Sequence, residues 1–228
     1  MKQYLTIALA AALSVGFATT TLAQDTGNKQ GDKQADKAAK RDARAGKGDA
    51  KAGKAAVAKV GEAAPNFTLK TTDGKDWSLS DAKGKVVVLE WVNPECPVCV
   101  RVMKDGTVAN ALKGAKEQYP DVVYVAINSS AARKSSLDAT AQYLKDHKIE
   151  IPALLDSDGA VGKMYGALTT PHCFVIDASG TLVYHGALDD NQRGDGKTNY
   201  VVNALAQLKK GEKVSPSETK PYGCSVKY

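Results

Sequence analysis

The chain has 228 residues, with 31 Lys and Arg against 25 Asp and Glu, an excess that by itself would suggest an anionic partner such as nucleic acid. The excess is local. Residues 24–60 hold ten Lys and Arg against five Asp, Lys2 lies in the leading segment, and 61–228 are left with 20 charges of each sign, so the part able to fold is formally neutral and no nucleic-acid surface is expected.

Met1-Lys2 supplies a short positive start, Leu5 to Phe17 is apolar and small, and Thr21-Leu22-Ala23 offers small residues where a signal peptidase cuts. Residues 1–23 therefore read as a signal peptide, with a mature chain from Gln24 and an uncleaved anchor as the alternative. The folded part is expected to be periplasmic or secreted, where disulfides persist, with no membrane span in the mature chain. Residues 24–60 are almost entirely Lys, Ala, Asp, Gly and Gln, without an aromatic residue. Such a segment cannot bury enough apolar surface to offset the entropy of ordering, and it reads as a disordered spacer.

Residues 61–228 suffice for one domain with a real core. Phe67 to Lys70 and Trp77 to Ser80 alternate around Asp73-Gly74 as a hairpin. Val86 to Val92 is a β-branched, apolar run expected as a strand buried on both faces. Helical spacing follows from Val98 to Tyr119, with a break or bend at Gly106. Val122 to Ile127 is a second buried strand, Ser135 to His147 a helix, Ile151 to Leu155 a short strand and Ala160 to Tyr165 a short helix. Cys173 to Ile176 and Leu182 to His185 form a hairpin about Ala178-Ser179-Gly180, and Thr198 to Leu208 is the last helix. This order predicts an α/β sheet with helices on both faces.

The stretch Glu90-Trp91-Val92-Asn93-Pro94-Glu95-Cys96-Pro97-Val98-Cys99 carries the chemistry. Asn-Pro ends the strand, and two cysteines separated by two residues stand where the helix begins. The helix dipole and unpaired N–H groups there favour a thiolate. Cys-x-x-Cys also serves zinc, but no second Cys-x-x-Cys or His-x-x-x-His completes a tetrahedral site, and no metal or other cofactor is expected. Glu90 lies six residues before Cys96 within an apolar strand. Burial should raise its pKa and fit it to exchange a proton with Cys99, the alternative being a carboxylate that reaches a Lys or solvent. Glu95 should oppose thiolate formation and favour a reducing pair, unless it points to water.

The element order, Cys96-Pro97-Val98-Cys99 and Thr170-Pro171 resemble the thioredoxin superfamily. More narrowly, Glu90 to Pro97, Ile127-Asn128-Ser129-Ser130, Gly186 to Asp190 and Gly223-Cys224-Ser225-Val226-Lys227 are similar to the extracytoplasmic redoxins, the alkyl hydroperoxide reductase/thiol-specific antioxidant-like, peroxiredoxin-like group. The resemblance covers residues 61–228. It implies a thioredoxin-like fold, a central mixed sheet flanked by helices with an N-terminal β-hairpin extension. It further implies Cys96 as an exposed nucleophile, Cys99 as the resolving thiol, Glu90 as their buried acid, and Thr170-Pro171 as a cis-proline turn that, with Pro97, binds an extended substrate. His172 could tune a thiolate or bind copper, or be an exposed loop residue. His147 is expected at the surface and His185 on a strand. Cys173 reads as a small hydrophobe and Cys224 as a mobile tail thiol. Three readings of them stay open: a structural Cys173–Cys224 bond, Cys224 resolving an oxidised Cys96, or two free thiols.

The function expected is an extracytoplasmic thiol-disulfide oxidoreductase acting on protein thiols or disulfides, or on a thiol reductant. A peroxiredoxin-like peroxidase reducing hydroperoxides is the neighbouring alternative, against which Asn93 and not Thr precedes Cys96 by three. A copper-binding assembly factor is the third, weakened by the lack of a Met- or His-rich region.

Overall fold

The computed structural model describes residues 57–193 and 195–228, so the expected signal peptide and most of the expected spacer lie outside the described residues. The spacer expected to run to residue 60 ends sooner, for the chain is packed from Ala58, which is buried in the core and whose N–H donates to the Met164 carbonyl at 3.0 Å.

A seven-stranded mixed sheet runs in the order β2-β1-β5-β4-β3-β7-β8. Its centre is β3 (Val87–Trp91), buried at every position, which pairs in parallel with β4 (Val123–Asn128) and antiparallel with β7 (His172–Ile176). β5 (Ala153–Leu155) continues the parallel part beside β4. The expected hairpin, β1 (Thr68–Thr71) with β2 (Asp76–Ser78), extends one edge by pairing β1 to β5. β8 (Leu182–Gly186) completes the other edge through its hairpin with β7.

Alternation along β3 sorts its side chains between two cores. Val87, Leu89 and Trp91 face Phe174, Ile176 and the helix α5 (Ala160–Tyr165). Val88 and Val92 face α1 (Pro97–Lys104), α4 (Thr140–Asp146) and α6 (Tyr200–Lys209), and Glu90, of the same parity, projects to that side. Each fully buried Leu, Val or Phe contributes about 1.5–3 kcal/mol, so the parity of this strand is strongly held.

The expected helix after the cysteines is divided by Gly106, at φ 82°, into α1 and α2 (Thr107–Gln118). Ser135 to His147 is not one helix but two short ones, α3 (Lys134–Asp138) and α4, meeting at Ala139. The Ser136 carbonyl accepts from the side chains of Thr140 (3.0 Å) and Asn128 (3.1 Å), a competition with backbone pairing that interrupts the helix. A second sheet was not anticipated from the sequence: β6 (Thr169–Thr170) pairs antiparallel with β9 (Cys224–Ser225). Strands of two residues carry no readable periodicity.

Candidate active site

Once the chain leaves β3, Asn93 Oδ1 accepts from the Glu95 N–H at 2.7 Å and from Ser136 Oγ at 2.9 Å, which fixes the bend. Cys96 becomes the N-cap of α1, with Pro97 in the first turn, where a missing N–H leaves nothing unpaired. The Cys96 sulfur lies 3.1 Å from the Thr170 carbonyl oxygen, to which the protonated thiol donates. The ionised form is favoured by other groups. The Cys99 thiol is the strongest; the Cys224 thiol and the backbone N–H groups of Cys99 and Cys224 add to it. Against the cost of burial, together they bring the Cys96 pKa down to about 4.

Cys99 is shifted the other way. Complete burial raises its pKa well above that of an ordinary thiol, and the adjacent Cys96 sulfur and Glu90 carboxylate add to the shift. Its carbonyl accepts from the Tyr143 hydroxyl at 2.9 Å. Glu90 is 1% exposed, and desolvation lifts it to about 7, although the Tyr124 hydroxyl donates to Oε2 at 2.6 Å and partly offsets the shift. Among the described residues Oε1 has no hydrogen-bond partner. The alternative of a Glu90 reaching Lys or solvent is thereby overturned. Tyr124 and Tyr143 were not singled out in the sequence, where an aromatic residue on a strand or helix reads simply as core.

Other expectations are corrected. Cys96 is not exposed: it is 1% accessible, its sulfur set against the Thr170 carbonyl of β6 and beside Cys224 of β9. Cys224 is not a mobile tail thiol but is held in β9 opposite Thr170. Glu95 does not act on the thiolate, since its carboxylate is taken by Arg133 at 3.1 Å and Ser135 Oγ at 2.9 Å, and the reducing bias ascribed to it loses its basis. His172 is no exposed loop residue: it is buried, its ring tilted against that of Phe174 with centroids 4.5 Å apart and Nδ1 accepting from the Leu168 N–H, and burial brings its pKa down to about 3.

The remaining site residues fall as follows. Thr170–Pro171 is a cis peptide, and both residues are buried beside Cys96. Pro97 is exposed and shares a surface groove with Val98, Arg101 and residues 191–193. Cys173 is fully buried on β7, opposite Glu90, and all four cysteines are free thiols. Among the described residues no group of three or more His, Cys, Asp or Glu side chains is arranged to hold a metal ion, and no helix is long and apolar enough to cross a membrane.

The thiol-disulfide oxidoreductase ResA of Bacillus subtilis is 33% identical over 132 residues, covering 58% of this chain and 69% of its own. The chloroplastic peroxiredoxin Q of Suaeda salsa is 33% identical over 153 residues, covering 61% and 66%. The crystal structure of a hypothetical protein from Sinorhizobium meliloti 1021 superposes with a TM-score of 0.64 at 26% identity, over 75% of this chain and 94% of its own. The mixed sheet flanked by helices is the thioredoxin-like architecture expected. With the Redoxin family model matching residues 59–205, the chain belongs to the Redoxin family.

Proposed function

We propose that the protein is an extracytoplasmic thiol-disulfide oxidoreductase acting on protein disulfides through Cys96 and Cys99. The observation that carries this reading is the opposite displacement of the two thiols around one buried acid. Cys96 is poised as a thiolate, Cys99 is held protonated, and Glu90 titrates near neutrality. In the reductive direction the Cys96 thiolate attacks one sulfur of the substrate disulfide and releases the other as a thiolate. Glu90 takes the Cys99 proton, and Cys99 attacks the Cys96 sulfur of the mixed disulfide. The second substrate thiol leaves, and the substrate disulfide has become two thiols while Cys96 and Cys99 have become a disulfide. Thr170, Pro171 and Pro97 border the sulfur and are the groups an extended substrate would meet. The leader-like residues 1–23 support an extracytoplasmic location, where such a pair meets disulfides.

A peroxidase cycle is the second reading, favoured by the burial of Cys96, which a small oxidant penetrates more readily than a protein does. The two are separated by exposing the reduced protein to a protein disulfide and to hydrogen peroxide at equal concentration, quenching by alkylation and mapping the bonds formed. A Cys96–Cys99 disulfide formed much faster by the protein disulfide supports the oxidoreductase. Peroxide faster by orders of magnitude would overturn it. A copper role has less support, because among the described residues no group of three or more His, Cys, Asp or Glu side chains is arranged to hold a metal ion.

A further inference from the structure

The C-terminal segment runs from the β8 edge across the active site to α5 and is anchored along its length. Thr219 Oγ1 accepts from the Ala187 N–H at 2.9 Å, the Tyr222 hydroxyl donates to Asp189, and Arg101 reaches the same hydroxyl at 3.4 Å. The Val226 N–H donates to the Leu168 carbonyl at 3.1 Å, the Ala132 N–H donates to the Lys227 carbonyl at 3.0 Å, and the Tyr228 hydroxyl donates to the Ala167 carbonyl at 2.6 Å. Between these anchors β9 pairs with β6, the backbone edge whose Thr170 carbonyl touches the Cys96 sulfur. The approach is so close that a Cβ on Gly223, at φ 115°, would stand 2.1 Å from the Thr170 oxygen. The Cys224 thiol and N–H then face the Cys96 sulfur. An extended segment that adds to a free strand edge and presents one cysteine to the nucleophile is how a protein substrate would be held here.

We infer that residues 219–228 are a built-in substrate strand, with β9 filling the edge an external protein must use and Cys224 forming a Cys96–Cys224 disulfide that competes with Cys96–Cys99. The inference rests on Cys96 being the nucleophile of the proposed function. Its chemistry is thiol-disulfide exchange. When Cys96 carries a mixed disulfide, the Cys224 thiolate, its proton given to solvent, attacks the Cys96 sulfur. The Cys96–Cys224 bond forms, the mixed-disulfide bond breaks, and the leaving thiolate departs with the electron pair. The pair Cys96/Cys224 is oxidised and the original external disulfide has become two thiols. Cys224 is partly accessible and its pKa, raised by burial and by Cys96 to about 11, is less perturbed than that of the buried Cys99. A consequence is that an external protein disulfide reaches Cys96 only after β9 has lifted from β6.

The test uses the full chain with Cys99→Ser, reduced and treated with one molar equivalent of dithionitrobenzoate, whose two halves leave as coloured thiolates, so that a second release requires closure within the chain. Attack by Cys96 releases the first equivalent, and closure by Cys224 releases the second and leaves Cys96–Cys224, identifiable by peptide mapping. Adding Cys224→Ser should hold the release at one equivalent with a stable mixed disulfide. Gly223→Ala in the Cys99→Ser background keeps the thiol but pushes β9 off β6, and should slow the second release about tenfold or more through lost alignment. One equivalent from Cys99→Ser with Cys224 intact and still alkylatable, or a second release at an unchanged rate in Gly223→Ala, would overturn the inference while leaving Cys96 as nucleophile. No release from either variant would instead overturn the Cys96 assignment itself.

Discussion

Replacing Glu90 by Gln should stabilise the reduced protein at alkaline pH while slowing its chemistry, two effects of one cause. Glu90 is completely desolvated, and its pKa rises from an ordinary 4.5 to about 7. A carboxyl whose folded pKa lies above its unfolded one adds nothing below pH 4.5, where both states are protonated. As pH rises through this window the unfolded chain ionises first, so stability falls until the folded carboxyl ionises as well. At roughly 1.4 kcal/mol per pH unit, the gap of about 2.5 units makes the ionised carboxylate cost about 3 kcal/mol above pH 7. Gln is nearly isosteric and can accept the Tyr124 hydrogen bond, so Glu90→Gln should be more stable than the parent by about 3 kcal/mol at pH 8 and nearly equal to it at pH 4.5. Guanidinium unfolding of the two reduced proteins across this range reads the difference directly. Loss of the proton acceptor for Cys99 should meanwhile slow resolution of a Cys96 mixed disulfide about 10²-fold at neutral pH. A stability gain independent of pH would refute the titration of Glu90 near neutrality, and an unchanged resolution rate would remove it from the mechanism.

Three further outcomes are expected. Alkylation of Cys96 in the reduced protein should follow an ionisation with a midpoint near pH 4, read by mass spectrometry of the cysteine peptide; a midpoint in the ordinary thiol range would show that the thiols and N–H groups of Cys99 and Cys224 do not hold the thiolate. Tyr124→Phe removes the one hydrogen bond that lowers the Glu90 pKa, so the alkaline rise in the resolution rate should move to higher pH, and a shift to lower pH would contradict the geometry. Asp156 is buried and accepts from the N–H groups of Val161 (3.3 Å) and Gly162 (2.8 Å) and from Ser129 Oγ, so Asp156→Ala should cost about 2–3 kcal/mol in denaturant unfolding through donors left unpaired, while a loss below half of that would mean that water replaces the carboxylate.

Much of the site was legible because it is local. Cys96 and Cys99 are separated by two residues at a helix start, and Glu90 sits on the same strand that delivers them, so period-two alternation is enough to send it to the cysteine side of the sheet. The buried strands, the hairpin about Asp73-Gly74 and the break at Gly106 follow from patterns spanning a few residues each. The helix expected from Ser135 to His147 failed for a reason outside that pattern, a buried Asn128 from another element drawing on the Ser136 carbonyl. His172 looked like a loop residue after Pro171, but register with Trp91 puts it in the sheet, where burial keeps it neutral.

By itself the sequence determined the α/β order of elements and singled out the proposed redox pair and its proposed acid, since these depend on hydrophobic periodicity and on the chemistry of neighbouring residues. Only the tertiary structure decided that Cys224, 128 positions after Cys96, lies against it rather than bonded to Cys173 or loose in a tail. That meeting depends on two strands of two residues, on a close backbone approach that Gly223 alone permits, and on anchors contributed by Asp189, Leu168 and Ala167. No local propensity encodes such a pairing. It forms because the folded sheet has already fixed one edge beside the cysteine and left its N–H and C=O groups to be satisfied.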